Sequence, residues 1–402
     1  MNSASALPLQ PSACRLACCV WEFTLRCNLN CMHCGSSAGS ARAGELSTEE
    51  ALKLCDDLKK AGCLGVALMG GEPFLRGDFF EVASCVRELG MELSVITNGT
   101  VQSGEIFENL KKLKPRAVAV SIDASTAALH DKIRGVPGAF DKSQAFIDRC
   151  LREGLPVSVI TAVHKFNLKD LAAIRNSLKG RKIAWQVQTV GGEGRRFPKE
   201  MLLDEEEFYS VGVFIEASRR THSSEELPLI GAHDLGYNSG VLKNISLYEK
   251  WEGCQAGVSV LGIRSNGDAL GCLALNDDRF IEGNVRRKSV LQLWNGPAAF
   301  SYTRNFNGAQ AGENCSSCAH VAACKGGCNE MSLMKTGVMH NDPYCFYRLE
   351  HKLFAEKLQN PFKRLWFRLN GLAHAGGGAF EKLGRIFGAN RGLHETKHRL
   401  RL

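Results

Sequence analysis

Three cysteines lie close together near the start of the chain, at Cys27, Cys31 and Cys34. A closed zinc site or a closed iron–sulfur cluster uses four protein ligands, so three thiolates leave one position on the metal open. An open position is where a metal centre takes a further ligand and enters into chemistry. The spacing therefore predicts a reactive metal centre rather than a purely structural one.

The cysteine segment follows a predicted β-strand. Residues 20–25 read Val-Trp-Glu-Phe-Thr-Leu, and α/β folds place their ligands at the carboxyl ends of such strands. Short β-rich apolar runs then alternate with helical patterns, which is typical of parallel strands joined by crossover helices. Six such units without a closing pair predict an α/β fold, a partial (β/α)6 barrel with strands over residues 20–25, 64–69, 92–97, 117–123, 157–163 and 183–190.

Capping and turn signals fix the segments between these strands. Ser47 and Glu50 have the capping-box form, and Asn167 is placed to cap a helix between the fifth and sixth strands. Gly and Pro residues within 130–140 predict a shaped loop rather than a helix. Further helices are predicted over residues 78–89, 141–152 and 204–219.

A second group of cysteines lies in the C-terminal part of the chain, where the predicted strands become short and turns recur. The spacing of this group predicts a second domain held together by metal rather than by a large apolar core. Paired CxxC elements also bind zinc, so a zinc-ribbon-like module is the structural alternative. The seven cysteines are Cys254, Cys272, Cys315, Cys318, Cys324, Cys328 and Cys345.

The remaining cysteines are interpreted as small hydrophobic residues. Four of them fall on helix or core-like positions, namely Cys55, Cys63, Cys85 and Cys150. Three others precede the first loop and are either spectators, the favoured interpretation, or additional ligands: Cys14, Cys18 and Cys19.

Composition excludes several classes of protein. With 44% hydrophobic and 23% charged residues the chain is ordinary for a globular protein, and no apolar run is long enough to span a bilayer. Residues 1–11 place no basic residue ahead of an apolar segment, so no signal peptide is predicted. The 17 cysteines therefore favour metal binding in a reducing compartment over disulfides, and we expect a cytoplasmic location.

The formal net charge of +8 comes mostly from the C-terminal tail. Residues 361–402 hold nine Lys or Arg against Glu381 and Glu395, a net charge of +7, so the body of the protein has no nucleic-acid footprint. Apolar residues recur at helical spacing and predict two basic amphipathic helices. These helices either pack on the protein itself or bind a membrane surface or an acidic partner.

The first cysteine set and the turn Gly70-Gly71-Glu72-Pro73 together resemble the radical SAM superfamily, whose CxxxCxxC loop follows the first barrel strand and whose GGE motif ends the second. The resemblance implies that the three thiolates hold a [4Fe–4S] cluster. It also implies that S-adenosylmethionine (SAM) chelates the open iron and is cleaved to methionine and a 5′-deoxyadenosyl radical.

The same resemblance assigns the SAM contacts. Gly70 and Gly71 let the backbone approach the methionyl amine, while Glu72 fixes the turn or accepts a hydrogen bond, with Pro73 completing the motif. His33 matches the aromatic position near adenine.

Further contacts are implied at the fourth strand. Ser121 and Arg134 match the positions that contact the SAM carboxylate, with a polar strand end and a structurally paired arginine as the alternative. Asp123 faces ribose or substrate, or caps a turn.

The C-terminal cysteines resemble the SPASM domain, which carries auxiliary [4Fe–4S] clusters. The resemblance implies two such clusters. One takes Cys315, Cys318, Cys324 and Cys345, and the other takes Cys254, Cys272 and Cys328. The second set is one ligand short, so that cluster has either a non-cysteine ligand or an iron open to substrate.

These resemblances imply a radical SAM/SPASM oxidoreductase that receives an electron from a reduced flavodoxin or ferredoxin-like donor. Maturation of a ribosomal peptide or protein side chain is the leading expectation, with a separate leader-recognition protein or the basic tail binding the substrate. Leu273 follows Cys272 where sulfatase-maturing relatives have an aspartate base, which argues against that activity. The alternatives are oxidation of a small molecule such as a tetrapyrrole or cofactor precursor, and a non-catalytic zinc or iron–sulfur scaffold.

The predicted domain organisation follows from these segments. It comprises an N-terminal extension at 1–16, a radical SAM core at 17–219, a bridge at 220–253, a SPASM domain at 254–350 and a basic tail at 351–402.

Overall fold

The structure is a computed structural model that describes residues 14–192, 194–232, 235, 239–242, 245 and 251–358. The predicted amphipathic helices of the tail, within 361–402, lie outside the described residues. No described helix is both long enough and apolar enough to cross a membrane. The predicted domain limits stay predictions.

A curved parallel sheet with helices on one side forms the first part of the chain. Its strands are β1 (Cys18–Thr24), β2 (Gly65–Gly70), β3 (Glu92–Thr97), β4 (Ala117–Ser121), β5 (Val157–Val163), β6 (Ala184–Thr189) and β7 (Leu229–Gly231). Each strand pairs in parallel with the next. The partial α/β barrel predicted from the sequence is therefore confirmed.

The crossover helices bury their apolar faces against this sheet. They are α1 (Thr48–Lys60), α2 (Phe79–Glu88), α3 (Gly104–Leu113), α4 (Ala127–Arg134), α5 (Ala139–Arg152), α6 (Leu171–Leu178) and α7 (Glu205–Thr221). The predicted capping box is present, since the Ser47 side chain accepts from the Glu50 backbone and Glu50 accepts from the Ser47 backbone.

Side chains alternate along each strand between the helices and the barrel interior, because successive residues of a strand point to opposite faces. Trp21, Val120 and Trp185 are fully buried in the core. Their neighbours Ser121 and Gln186 line an interior cavity instead. The strands therefore direct polar side chains into the barrel interior, while apolar side chains on their other face pack in the core.

The C-terminal part continues the same sheet. It contains β8 (Val260–Ile263), β9 (Asp268–Leu270), β10 (Gly283–Asn284), α8 (Val290–Trp294), α9 (Ser301–Arg304), α10 (Val321–Cys324), α11 (Asn329–Thr336) and α12 (Phe346–Leu358). Strand β8 pairs in parallel with β1, opposite Cys18 to Trp21, and β9 and β10 follow antiparallel.

Polar contacts tie the two parts together. The buried Glu22 carboxylate accepts hydrogen bonds from Arg42 and from the Ser265 hydroxyl, each at 3.0 Å. Arg286 pairs with Glu50 on α1 at 2.6 Å. The composition of the chain changes near position 254, but hydrogen bonds still connect the parts before and after it.

The prediction of a loop over residues 130–140 is wrong. Helix α4 runs through His130 to Arg134, and α5 begins at Ala139, so the Gly and Pro residues form only the short connection 135–138. Gly135 ends α4 in the left-handed conformation at φ +72°. The Asp131 carboxylate accepts from the Gly138 and Phe140 backbone at 2.6 and 2.8 Å, which fixes the start of α5.

Two other features differ from expectation. The Asn167 side chain makes no capping bond and instead donates to the carbonyls of Asp123 and Ala162 at 2.9 and 3.0 Å. Helix α3, whose first turn is capped by Ser103, was not predicted.

Candidate metal centres and the cavity between them

Each sulfur of the first cysteine set has an N–H donor beside it. The Leu29 amide lies 3.4 Å from the Cys27 sulfur, the Ala38 amide 3.3 Å from that of Cys34, and Arg134 Nη1 3.8 Å from that of Cys31. Hydrogen bonds of this kind stabilise negative charge on sulfur and tune cluster potential. The donor set therefore fits three metal-bound thiolates.

Distant segments hold this loop in place. The amides of Asn30 and Met32 donate to the carbonyls at the end of α4, at 3.1 and 3.0 Å. Arg196, in the loop after β6, donates to the carbonyls of Cys31 and Ala38 at 3.1 and 3.0 Å. Gly194 approaches so closely that a Cβ there would lie 2.1 Å from the Cys34 carbonyl oxygen. Sequence reasoning missed Arg196 and Gly194, because no local motif marks them.

A small apolar cluster encloses the same loop. Leu29, Cys31 and Ala139 are buried together, with Val136 and the other two cysteines packed against them. Excluding water lowers the local dielectric and strengthens the charged contacts nearby. The loop is therefore shielded on the side that faces α5.

The glycine turn packs against the end of β1. A Cβ at Gly70 would lie 2.1 Å from the Thr24 carbonyl oxygen, and one at Gly71 would lie 2.2 Å from that of Arg26. The Gly71 amide donates to Thr24 at 2.7 Å. Glycine is thus required here for close backbone contact, and both glycines also line the interior cavity.

Glu72 holds the turn from within. Its fully buried carboxylate accepts from the Thr97 hydroxyl at 2.8 Å and from the Asn98 amide at 2.8 Å. Burial raises the pKa of Glu72 to about 7, against the opposing effect of these hydrogen bonds. Glu72 thus accepts hydrogen bonds from within the protein and fixes the turn through them, while Pro73 is buried at the start of the next short helical turn.

Asp123 is the buried partner of Arg134. Arg134 Nη2 lies 2.7 Å from Asp123 Oδ2, and His33 Nε2 lies 3.4 Å from the same oxygen. Burial opposes ionisation, but Arg134 and then His33 hold the pKa of Asp123 down at about 2. Burial also disfavours the charged form of His33, and this lowers the pKa of His33 to about 4. Asp123 therefore orients Arg134 beside the cysteine loop.

Two more histidines surround this pair. The Asp123 backbone amide donates to His130 Nδ1 at 3.2 Å, and the His164 ring centre lies 5.8 Å from that of His33. Burial lowers the pKa of His130 to about 4 and that of His164 to about 3. Sequence reasoning did not single out His164, which follows β5 without any motif.

One cavity of about 510 Å³ joins the two cysteine regions. Its wall includes the first three cysteines, both glycines, His33, Ser121 and Arg134, all predicted from the sequence. Its opposite wall includes Cys272, Leu273, Asn276 and Glu330 from the C-terminal part. Gln186 and Gln188 of β6 lie between these two walls.

Four of the C-terminal cysteines surround a second cavity of about 340 Å³, namely Cys315, Cys318, Cys324 and Cys345. The His320 amide lies 3.4 Å from the Cys318 sulfur. Burial raises the pKa values of Cys315, Cys324 and Cys345 to about 12, so coordination by a metal would have to drive their deprotonation.

The other three C-terminal cysteines come together on the side of the first cavity. The Cys254 and Cys328 side chains share a hydrogen bond, and the Cys254 sulfur also accepts from the Asn329 and Ala256 amides. Cys272 accepts from the Ala274 and Leu275 amides. The structure therefore groups the seven cysteines as four and three.

A single zinc ion needs its ligands within about 2.3 Å of one point. Within the part of the chain that the structure describes, no three His, Cys, Asp or Glu side chains are arranged to hold one metal ion. Amide donors beside the sulfurs suit metal-bound thiolates in either kind of site.

Two family models match the chain. The radical SAM superfamily model covers residues 21–178, and a model described as an iron–sulfur cluster-binding domain, SPASM, covers residues 254–319. Fe-coproporphyrin III synthase of Methanosarcina barkeri is 30% identical over 82% of this chain and 88% of its own. Mycofactocin maturase MftC of Mycobacterium ulcerans is 29% identical over 77% of this chain and 82% of its own.

Solved structures share the fold. Streptococcus suis SuiB bound to SAM superposes with a TM-score of 0.66 at 19% identity, covering 83% of this chain and 76% of SuiB. Native anSMEcpe with bound SAM gives 0.64 at 18% identity, covering 89% and 100%. The chain therefore belongs to the radical SAM superfamily, as an enzyme that binds SAM and a [4Fe–4S] cluster and carries a SPASM iron–sulfur domain.

Proposed function

We propose that this enzyme abstracts a hydrogen atom from a peptide or protein side chain. The observation that carries the proposal is the charge of the interior cavity. Among its described lining residues Arg134 is the single Lys or Arg, and that guanidinium is the group assigned to the SAM carboxylate. The same lining offers the neutral amides of Gln186, Gln188 and Asn276.

This lining suits a peptide better than a polyanion. Side-chain amides donate to and accept from peptide groups, so they satisfy a backbone without adding charge. The carboxylates of a tetrapyrrole would each require a cation once removed from water, because an unpaired buried charge is costly.

Each protein group has a place in the proposed reaction. Cys27, Cys31 and Cys34 hold the cluster, which, with SAM bound, supplies a 5′-deoxyadenosyl radical. Arg134, oriented by Asp123, and Ser121 would hold the SAM carboxylate, while backbone carbonyls of the glycine turn would accept from its amine. His33 would contact the adenine. The cavity walls hold the substrate C–H bond near the reacting carbon and exclude water.

Partners outside the chain complete the proposal. A reduced flavodoxin or ferredoxin-like protein would supply the electron for SAM cleavage, and the SPASM clusters would accept the electron that the substrate radical loses when it is oxidised. A separate leader-recognition protein or the basic tail binds the peptide. Mycofactocin maturase, similar over most of this chain, supports a peptide substrate.

Oxidation of a tetrapyrrole is the second candidate. It is supported by the names of sequence relatives, which include Fe-coproporphyrin III synthase and SAM-dependent heme synthase of Methanosarcina barkeri at 30% and 28% identity.

The two candidates separate in one assay. The anaerobically reconstituted enzyme is given dithionite, SAM and either the peptide encoded beside its gene or iron coproporphyrin III. We expect a substrate-dependent rise in 5′-deoxyadenosine and a mass loss in the peptide alone. Conversion of iron coproporphyrin III without any change in the peptide would overturn the proposal.

A further inference from the structure

The set formed by Cys254, Cys272 and Cys328 has three thiols where a closed [4Fe–4S] cluster needs four ligands. The four remaining C-terminal cysteines surround the other cavity. A fourth ligand for the three-cysteine set must therefore come from another residue type, or the iron stays open.

Glu330 is placed beside this set by the chain itself. Cys328 is the N-cap of α11, and Glu330 follows two residues later in the first turn of that helix. The Glu330 side chain lines the interior cavity together with Cys272. One helix start thus positions a thiol and a carboxylate near the same sulfur group.

The loop after β6 leaves room for this carboxylate. A Cβ at Gly191 would lie 2.6 Å from Glu330 Oε1, so a larger residue there would push the carboxylate away. The neighbouring carboxylate of Asp342 accepts hydrogen bonds from backbone amides. Its oxygens accept from the amides of Cys328 and Tyr344 at 3.1 and 2.8 Å.

Glu330 lies within electrostatic reach of all three thiols. Its carboxylate acts on Cys254, Cys272 and Cys328, and at Cys272 it is the charged group with the largest effect. A carboxylate oxygen in this position can serve as an iron ligand beside three thiolates.

We propose that Glu330 is the fourth protein ligand of the cluster bound by Cys254, Cys272 and Cys328. The proposal rests on that set holding a cluster and is independent of the substrate. A carboxylate oxygen would close the iron that three thiolates leave open. The substrate would then contact the residues around this cluster and would not bind its iron.

The test uses the full chain with Cys27, Cys31 and Cys34 changed to Ala, so that only the auxiliary clusters contribute. This parent should hold about eight iron ions, four for each [4Fe–4S] cluster. Cyanide, a ligand for open iron, is added to the reduced protein, and electron paramagnetic resonance spectra are recorded for the parent, Glu330→Ala, Glu330→Cys and Glu313→Ala. Glu313 is an exposed control, two residues before Cys315.

We expect cyanide to change the spectrum of Glu330→Ala alone, because only that protein has an open iron. If Glu330→Ala instead loses about four iron ions, Glu330→Cys should retain them, since a thiolate replaces the carboxylate. A parent spectrum that responds to cyanide as Glu330→Ala does would overturn the proposal. So would a Glu330→Ala spectrum that matches the parent with and without cyanide, or loss of iron from Glu330→Cys.

Discussion

At the barrel loop a guanidinium, that of Arg134, lies 3.8 Å from the Cys31 sulfur, whereas at the three-cysteine C-terminal set a carboxylate, that of Glu330, acts on the sulfurs. Burial raises the pKa of Cys31, and Arg134 opposes part of that rise. At Cys272 burial and Glu330 both raise the pKa of the thiol. The first set therefore has a cation that offsets part of the cost of forming thiolates, whereas the second has an anion that adds to this cost at Cys272.

The largest expected effect tests whether the first cysteine loop is needed for SAM cleavage. Cys31→Ala should abolish formation of 5′-deoxyadenosine and remove about four iron ions, because three thiolates are the minimum that holds this cluster. Iron analysis and chromatography of the SAM products measure both effects. Cys85→Ser, at a half-buried thiol outside either set, is the control. Undiminished 5′-deoxyadenosine from Cys31→Ala would contradict the assignment.

The glycine turn tests whether the first site depends on backbone contact. Gly71→Ala should reduce SAM cleavage by roughly 100-fold or more, because the new Cβ would meet the Arg26 carbonyl and displace the turn, and small misplacements are costly in catalysis. Gly77→Ala adds a Cβ to open space and should behave like the wild type. Equal rates of 5′-deoxyadenosine formation in the two variants would show that the contact does not matter.

Arg196 tests how firmly the rest of the barrel clamps the loop. Arg196→Ala removes donors to the carbonyls of Cys31 and Ala38, and we expect about 10- to 100-fold faster loss of the first cluster to a chelator. The matched control is Arg195→Ala, whose side chain makes one long contact of 3.5 Å to Ser37. The clamp is refuted if both variants lose iron at the same rate.

The smallest expected effect concerns the ion pair between Asp123 and Arg134 beside the first cysteine loop. The pKa of Asp123 is lowered to about 2, so its ionisation stabilises the fold above the unfolded pKa near 4. This contribution, about 2 kcal/mol at neutral pH, is lost as pH falls from about 4 to 2. Denaturant unfolding across that range should show a steeper loss for the wild type than for Asp123→Asn. Parallel curves would mean that Asp123 is not held ionised by Arg134.

Local patterns were sufficient to predict the cysteine sets, the glycine turn and the six strands β1 to β6, but not β7, which lies in the segment interpreted as a bridge. Their spacing along the chain is itself the signal, and β5 was predicted with the bounds that the structure has. Residues 130–140 were mispredicted because Gly135 and Gly138 act at helix ends, where glycine is favoured, rather than throughout a loop.

Contacts made across the fold could not be predicted. Arg196 reaches Cys31 from 165 positions away, and nothing near Arg196 in the sequence marks it as different from Arg195. Glu330 gains its place from the start of α11 and from the room left at Gly191 in the loop after β6. Such residues become visible only when topology brings distant segments together.

The pairing of β8 with β1 also determines how the two cysteine regions are attached to each other. Cys27 follows β1, Cys272 follows β9, and β8 pairs with both of these strands. The two regions that line the cavity are therefore parts of one hydrogen-bonded sheet rather than two separately attached modules.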